Sequence, residues 1–344
     1  GQWLGAYQME AELGRGTMGV VYRAKHAQNG KAFAVKVLID ALCADDTFVT
    51  RFKREASIVA QLNHPNIVRV YEYGQQERHI YFAMEYFPGM TAGQMLRERK
   101  RLPYGEVIEI AAQAADALAY AHVEGRLVHR DVKPENMLVD RWRRVKLLDF
   151  GLARIEGMDA ITRAGTVVGS LYYVSPEQLL GRKLDGRSDV YALAVSMYEM
   201  LSGVRPYRGQ TLTEMSDAIL YATATPLRQF EPAIPTELER IIAKAMARDL
   251  SQRYASAGDL RDDLRVLQAA LAANNASDVT EQPQRPAPNG APEPRLYALQ
   301  GLTPEPAEPM PQGPRRTLRS SFRPASLEPA PVDEQRLPRS PDAR

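Results

Sequence analysis

Apolar positions recur along most of this chain, and their period changes once. In the first part they fall in short runs rich in β-branched and aromatic residues. Tyr7–Leu13, Val20–Ala24, Ala32–Leu38, Ile67–Tyr73 and His79–Met84 predict five strands. One segment departs from that pattern. Asp46–Leu62 carries Phe48, Phe52, Val59 and Leu62 near helical spacing, which predicts an amphipathic helix. Together these predict a small five-stranded antiparallel sheet with one main helix.

From Pro103 onward the helical period dominates. Glu106–His122 places Val107, Ile110, Ala114, Leu118 and Ala121 on one face. Ser188 is the expected cap of a helix that runs to about Ser202 and is stopped by Gly203. Thr236–Ala247 predicts another amphipathic helix. Ser256 and Asp259 form a capping-box pattern, with Asp for the usual Glu, ahead of a helix to about Ala272. The expectation is an α+β chain of two lobes: residues 7–84, a hinge at 85–89, and a mostly helical lobe at 90–272.

Near residue 275 the composition shifts. Pro283, Pro286, Pro288, Pro292, Pro294, Pro304 and later prolines follow, with few aromatics. Such a segment buries too little apolar surface to offset chain entropy. Residues 276–344 are therefore read as a disordered, Pro- and Arg-rich tail with polyproline character.

Charge narrows the function classes. The 44 Lys+Arg against 42 Asp+Glu give a formal charge of +2, which argues against nucleic acid or bulk membrane attraction. The single cysteine, Cys43, excludes an internal disulfide and reads as an inert thiol in a reducing compartment. No apolar run approaches a membrane span, and no leader is visible. The expectation is a cytoplasmic protein, with a membrane anchor C-terminal to this sequence as the alternative.

The chemistry concentrates in His129-Arg130-Asp131-Val132-Lys133-Pro134-Glu135-Asn136, followed by Asp149-Phe150-Gly151. The stretch offers a carboxylate able to orient a hydroxyl, a lysine able to face phosphate, and Asn and Asp oxygens able to hold Mg²⁺. Phosphoryl transfer from ATP needs these parts. Upstream stands Gly14-Arg15-Gly16-Thr17-Met18-Gly19, where small residues let backbone N–H groups approach phosphate oxygens. A dinucleotide-binding turn is the competitor. That turn opens a helix, whereas Val20 and Val21 here begin a strand. Lys36 lies in Ala34-Val35-Lys36-Val37, apolar on both sides, so a buried amine there needs a partner. Glu55, three residues after Phe52 and four before Val59, faces the sheet and is the expected partner. The competing reading pairs Glu55 with Arg51 on the surface.

These motifs, in this order, resemble those of the Hanks-type (eukaryotic-like) serine/threonine protein kinases, most closely the bacterial branch. The resemblance covers about residues 7–272. It implies a two-lobed kinase fold and transfer of the ATP γ-phosphate to Ser or Thr of proteins, a second copy of the chain included. It implies Asp131 as the catalytic base, Lys133 as the γ-phosphate lysine, and Asn136 and Asp149 as Mg²⁺ ligands, with Mn²⁺ as a possible substitute. Lys36 and Glu55 resemble the family's ion pair, and Gly14, Gly16 and Gly19 its nucleotide-covering loop. Leu13, Val21, Ala34 and Leu138 would enclose the adenine. Glu85 and Phe87 would present hinge backbone groups, with Met84 as the gatekeeper. Val59, Val70, His129 and Phe150 would stack as a hydrophobic column. Asp189 would hold the catalytic-loop backbone, and Arg253 would pair with Glu177. Ser175 stands where the family usually has alanine.

Regulation is implied by the same likeness. Arg51, Arg130 and Arg154 would converge on an activation loop and be joined by a phosphate on Thr162, the preferred site, or Thr166. Ser170 reads as a contact to Asp131 and Lys133. In the tail, Arg315-Arg316-Thr317-Leu318-Arg319-Ser320-Ser321 offers exposed hydroxyls. A solvated linker, or Pro-rich docking to a partner domain, is the alternative use. Two competing functions remain. One is a pseudokinase scaffold on the same fold, although every essential residue is present. The other is a small-molecule phosphotransferase, against which the complete Asp149–Glu177 segment argues.

Overall fold

Alternation along the fourth strand decides the layout of the first half. Ala34, Lys36 and Leu38 point to one face, and Phe33, Val35 and Val37 to the other. Val35 is buried with Tyr7, Ala24, Tyr81 and Ala83, while Leu38 is buried with Met18, Ala56, Ile80 and Phe82. The computed structural model describes residues 2–16, 18–43, 46–77, 79–150 and 169–280. Within these, the side chains at 41, 46–48, 51–52, 55, 169–170 and 275–280 lie outside the description.

The strands are β1 (Trp3–Leu4), β2 (Tyr7–Gly16), β3 (Gly19–His26), β4 (Ala32–Leu38), β5 (Val70–Gln76) and β6 (His79–Glu85). They form one antiparallel sheet in the order β1-β2-β3-β4-β6-β5. The sheet thus has six strands, not the expected five. The added strand is a hairpin arm in which Leu4 pairs with Tyr7. Gly5 makes the turn at φ 58°, a conformation that glycine adopts without a Cβ penalty. Two residues with one buried side chain are too short to give a periodic signal.

The fifth strand also starts later than expected. Ile67 and Val68 leave the sheet and meet Leu147: Val68 N–H donates to Leu147 O at 3.0 Å, and Leu147 N–H to Asn66 O at 2.8 Å. The apolar run therefore serves two partners in succession, which periodicity cannot separate. Helices α1 (Asp40–Cys43) and α2 (Asp46–Val59) follow β4, and α2 packs Ala56 against the Leu38–Phe82 face. Cys43 is half-buried beside that cluster.

The second half holds β7 (Met90–Thr91), α3 (Ala92–Arg99), α4 (Tyr104–Glu124), β8 (Met137–Val139) and β9 (Val145–Leu147). It continues with α5 (Pro176–Leu179), α6 (Gly186–Ser202), α7 (Leu212–Tyr221), α8 (Thr236–Ala245) and α9 (Ala257–Thr280). Strands β7, β8 and β9 form a small antiparallel sheet. Helices α4 and α6 carry much of the core, and nearly every residue of α6 is buried.

The start of α6 differs from expectation. Asp185, in extended conformation, accepts from Arg187 N–H at 2.9 Å and caps the helix. Ser188 instead lies inside it and donates to Glu177 at 2.8 Å. Asp and Ser are equally good caps, so a buried carboxylate that needs a donor decides between them. Gly203 ends the helix at φ 75°, as expected. The Ser256–Asp259 box is present, with Ser256 N–H donating to Asp259 at 2.9 Å and Asp259 N–H to Ser256 Oγ at 3.1 Å. That helix runs to Thr280, past Ala272 and into the first residues read as tail. Residues 281–344, the rest of that tail, lie outside the described residues. Among the described residues, no helix is long and apolar enough to cross a membrane.

Candidate active site

The loop after α4 holds an uncommon backbone. Arg130 has φ 68°, a left-handed value that a residue with a Cβ holds only when its surroundings fix it. Asp189 of α6 supplies part of that restraint. Its Oδ2 accepts from His129 N–H at 2.7 Å and its Oδ1 from Arg130 N–H at 2.8 Å. Burial drives the Asp189 carboxyl up, against the pull of the Arg130 and His129 N–H groups and the Arg130 charge. The His129 ring is fully buried, with Nε2 at 2.8 Å from Leu148 O, and Asp131 N–H donates to its Nδ1 at 3.3 Å.

This clamp sets Asp131 against two partners. Lys133 Nζ lies 2.7 Å from Asp131 Oδ2. Asn136 donates through Nδ2 to Asp131 O at 2.7 Å and to Oδ2 at 3.0 Å. The Pro134–Asn136 turn delivers Asn136, and Leu148 N–H donating to Asn136 O at 2.9 Å ties it to the strand that leads into Asp149.

Asp149 also has positive φ, 57°. Its Oδ2 accepts from Lys36 Nζ at 2.8 Å. Burial opposes the charged carboxylate, but Lys36 holds it below the usual range. Lys36 is thus buried and paired, as its apolar flanks require, and the described partner is Asp149. Glu55 lies on α2, and its side chain, with that of Arg51, is outside the described residues. Behind Lys36 a cavity of about 30 Å³ is lined by Val59, Val70, Phe82, Met84 and Phe150 among others. The His129 and Phe150 rings lie 4.5 Å apart. The four residues of the expected hydrophobic column therefore sit in one neighbourhood.

A second apolar group shares Val68 and Met84 with that cavity. Ala34, Val68 and Met84 are buried together, with Val21, Leu138 and Leu148 packed against them. Val68 and Leu148 were not legible as site residues; they precede a strand and the Asp149 turn and look like ordinary core. Glu85 ends β6, and Phe87 is buried just beyond. Lys146, also unexpected, pairs with Glu85 at 2.8 Å.

The loop glycines divide into two kinds. A Cβ on Gly19 would lie 2.0 Å from Val37 O, so the sheet itself demands glycine. A Cβ on Gly14 or Gly16 would meet nothing within 4 Å. Neither glycine is required by the protein's own packing, which fits a cradle kept open for phosphate. Leu13, ahead of them, is exposed.

The donor set fits a hard divalent cation. Asn136 is committed through Nδ2, which leaves its Oδ1 as the atom that could meet a cation, with the Asp149 carboxylate as the second candidate donor. One carboxylate and one amide oxygen suit Mg²⁺, which takes few protein ligands and completes its shell with water and phosphate.

Glu177 and Arg253 form the expected contact at 2.8 Å. A second cluster was missed: Tyr173 donates to Glu199, which also accepts from Arg205 Nε at 3.2 Å, while Arg205 lies 3.8 Å over the Tyr172 ring. Ser170 falls in the Gly169–Tyr173 turn, its side chain undescribed. Arg154, Thr162 and Thr166 lie outside the described residues.

Comparison with known proteins agrees with this geometry. The model of the protein kinase domain matches residues 7–263. The serine/threonine-protein kinase PrkC of Bacillus subtilis is 36% identical over 261 residues, which cover 76% of this chain and 40% of PrkC. The serine/threonine-protein kinase pkn3 of Myxococcus xanthus is 38% identical over 272 residues, covering 76% of this chain and 50% of its own length. This chain thus spans half or less of these relatives' length. The crystal structure of the Mycobacterium tuberculosis PknI kinase domain superposes with a TM-score of 0.62 at 32% identity, covering 78% of this chain and 98% of that one.

Proposed function

We propose a function for a chain that belongs to the protein kinase domain family: it transfers the γ-phosphate of ATP to serine or threonine hydroxyls of proteins. The kinase domain is assigned to about residues 7–272, with 276–344 as a separate Pro- and Arg-rich tail. The observation that carries the reading is two side-chain groups, Lys133–Asp131–Asn136 and Lys36–Asp149, tied through the backbone bond from Leu148 N–H to Asn136 O, with the apolar cluster around Ala34 and Met84 beside the cavity that Lys36 lines.

Each residue then has a role. Asp131 accepts the hydrogen bond of the substrate hydroxyl and takes its proton late in the reaction. Little pKa tuning is required, because positioning dominates a loose transition state. Lys133, already beside Asp131, meets the charge on the transferred group. Asn136 Oδ1 and Asp149 would hold Mg²⁺, with Mn²⁺ as a substitute; bound there, the ion supplies charge neutralisation on the phosphates. Lys36 reaches the α and β phosphates, and Glu55 is assigned as its second partner. Val21, Ala34, Leu138 and Met84 wall the adenine, with Leu13 at the mouth, and the backbone of Glu85 and Phe87 supplies its hydrogen bonds. Gly14 and Gly16 let backbone N–H groups close on phosphate.

Regulation is assigned to the segment between Asp149 and Glu177. A phosphate on Thr162, or on Thr166, placed there by a second copy of the chain, would bridge Arg51, Arg130 and Arg154 and draw α2 toward Lys36. Ser170 would touch Asp131 and Lys133 on the substrate side. The tail's prolines are assigned to docking a partner domain.

The test is Asp131→Asn, assayed with labelled ATP, Mg²⁺ and a Ser/Thr protein substrate. The variant keeps shape and loses the carboxylate. Loss of transfer by several orders of magnitude with ATP affinity retained is expected; wild-type turnover would refute the assignment.

A further inference from the structure

Gln178 sits at the third position of α5, and its side chain joins two parts of the protein that are far apart in sequence. Oε1 accepts from Ser175 N–H and Ser175 Oγ, each at 3.0 Å, and Gln178 N–H donates back to Ser175 Oγ at 3.4 Å. That is a capping box, in which Glu and Gln serve equally. The other end of the amide does something a box does not need. Nε2 donates to Arg130 O at 3.3 Å. The amide orientation follows from its partners: Ser175 N–H can only donate, and Arg130 C=O can only accept.

Arg130 O belongs to the peptide that joins Arg130 to Asp131. Arg130 is the residue at φ 68°, and its N–H is already held by Asp189. The two peptide units that flank this strained residue are thus held from opposite directions. Asp189 holds one from α6, and Gln178 holds the other from the Ser175-Pro176-Glu177 segment. A left-handed residue with only one flanking unit fixed can relax by rotating the other, and that rotation would move Asp131.

We infer that Gln178 is a positioning residue: its Nε2–Arg130 bond fixes the peptide that carries Asp131 and couples the orientation of that carboxylate to the ordering of the Gly169–Gln178 segment. The inference rests on the phosphoryl-transfer reading of Asp131. A segment ordered around its substrate closes the capping box, aims Nε2 and completes the clamp. Disordering the segment releases Arg130 O without touching the apolar cluster around Ala34 and Met84.

Two substitutions separate this role from simple capping. Gln178→Glu keeps the capping-box acceptor and replaces the donor with an oxygen that repels Arg130 O. Gln178→Met loses both. The expected result is that both variants lose about three- to tenfold in kcat, as one hydrogen bond in the reacting geometry would give, with KM for ATP unchanged. Gln178→Glu should keep the wild-type melting temperature, and Gln178→Met should melt lower. A capping role alone predicts wild-type kcat for Gln178→Glu, and that outcome overturns the inference. Amide hydrogen exchange over residues 129–133 gives a readout independent of turnover. Faster exchange there in Gln178→Glu supports the coupling, and unchanged exchange overturns it. If wild-type protein transfers no phosphate, the proposed function fails, and the exchange measurement still decides whether Gln178 holds this loop.

Discussion

Arg253 and Glu177 face each other as a fork: Nη1 lies 2.8 Å from Oε1 and Nη2 3.2 Å from Oε2, with both side chains withdrawn from water. Ser188 adds a third donor at 2.8 Å. Burial opposes the charge on Glu177, but these hydrogen bonds hold its carboxyl below the ordinary carboxylate range. A depressed pKa in the folded state means that the unfolded chain binds the proton more tightly. The pair's contribution is therefore full at neutral pH and fades as pH falls through the ordinary carboxylate range and below. Arg253→Met should cost about 3–5 kcal/mol, because it strands a buried charge. Glu177→Gln should flatten the acid side of the stability profile. Urea midpoints measured from neutral pH downward check both; an acid slope identical to wild type in Glu177→Gln would exclude the linkage.

The glycine loop should split stability from affinity. Gly19→Ala drives a Cβ into Val37 O and should lower the melting temperature by several degrees, as a backbone clash does. Gly14→Ala and Gly16→Ala meet no protein atom, and neither residue has positive φ, so their stability should stay within about 0.5 kcal/mol of wild type. Their ATP affinity should fall, because the new methyl group occupies the phosphate approach. Unchanged ATP binding in both variants would remove the cradle from the mechanism.

Asp189→Asn keeps shape but has one acceptor where two N–H groups converge. The second N–H would face an NH₂ group, at a cost of about 1–3 kcal/mol for a buried donor left unpaired. The expected outcome is a lower melting temperature together with a fall in kcat of tenfold or more. A variant that melts lower but turns over at the wild-type rate would show that the clamp supports the fold without aiming Asp131.

The activation segment gives a kinetic test. Wild type treated with phosphatase should accelerate after preincubation with Mg-ATP, and Thr162→Ala/Thr166→Ala should not, since a phosphate supplies about two charges to the arginines. Equal acceleration of both proteins places the switch elsewhere.

What the sequence made legible was mostly local. The limits of β4 follow from its β-branched run. The stop at Gly203 and the Ser256–Asp259 box follow from residue types whose backbone demands are specific. What it hid depends on long-range partners. Ser188 reads as a cap until Glu177 is seen to need a donor. Ile67 and Val68 read as one strand until Leu147 takes their backbone groups. The Lys36–Asp149 bond spans 113 positions, and nothing in the local spacing around either residue announces it. Val68 and Leu148, just outside β5 and β9, join the cluster around Ala34 and Met84 through contacts that their local sequence does not announce.

His129 has a consequence for where the substrate's proton can go. Asp131 N–H can only donate, so Nδ1 must be bare; Leu148 O can only accept, so Nε2 must carry the hydrogen. Both nitrogens are spoken for, and the ring is sealed from water. The imidazole therefore acts as a cross-brace and has no free lone pair with which to serve as a relay. In the proposed reaction, a proton accepted by Asp131 would leave through solvent or through the phosphorylated product. The histidine two residues before the proposed base would thus stand outside the acid–base chemistry altogether.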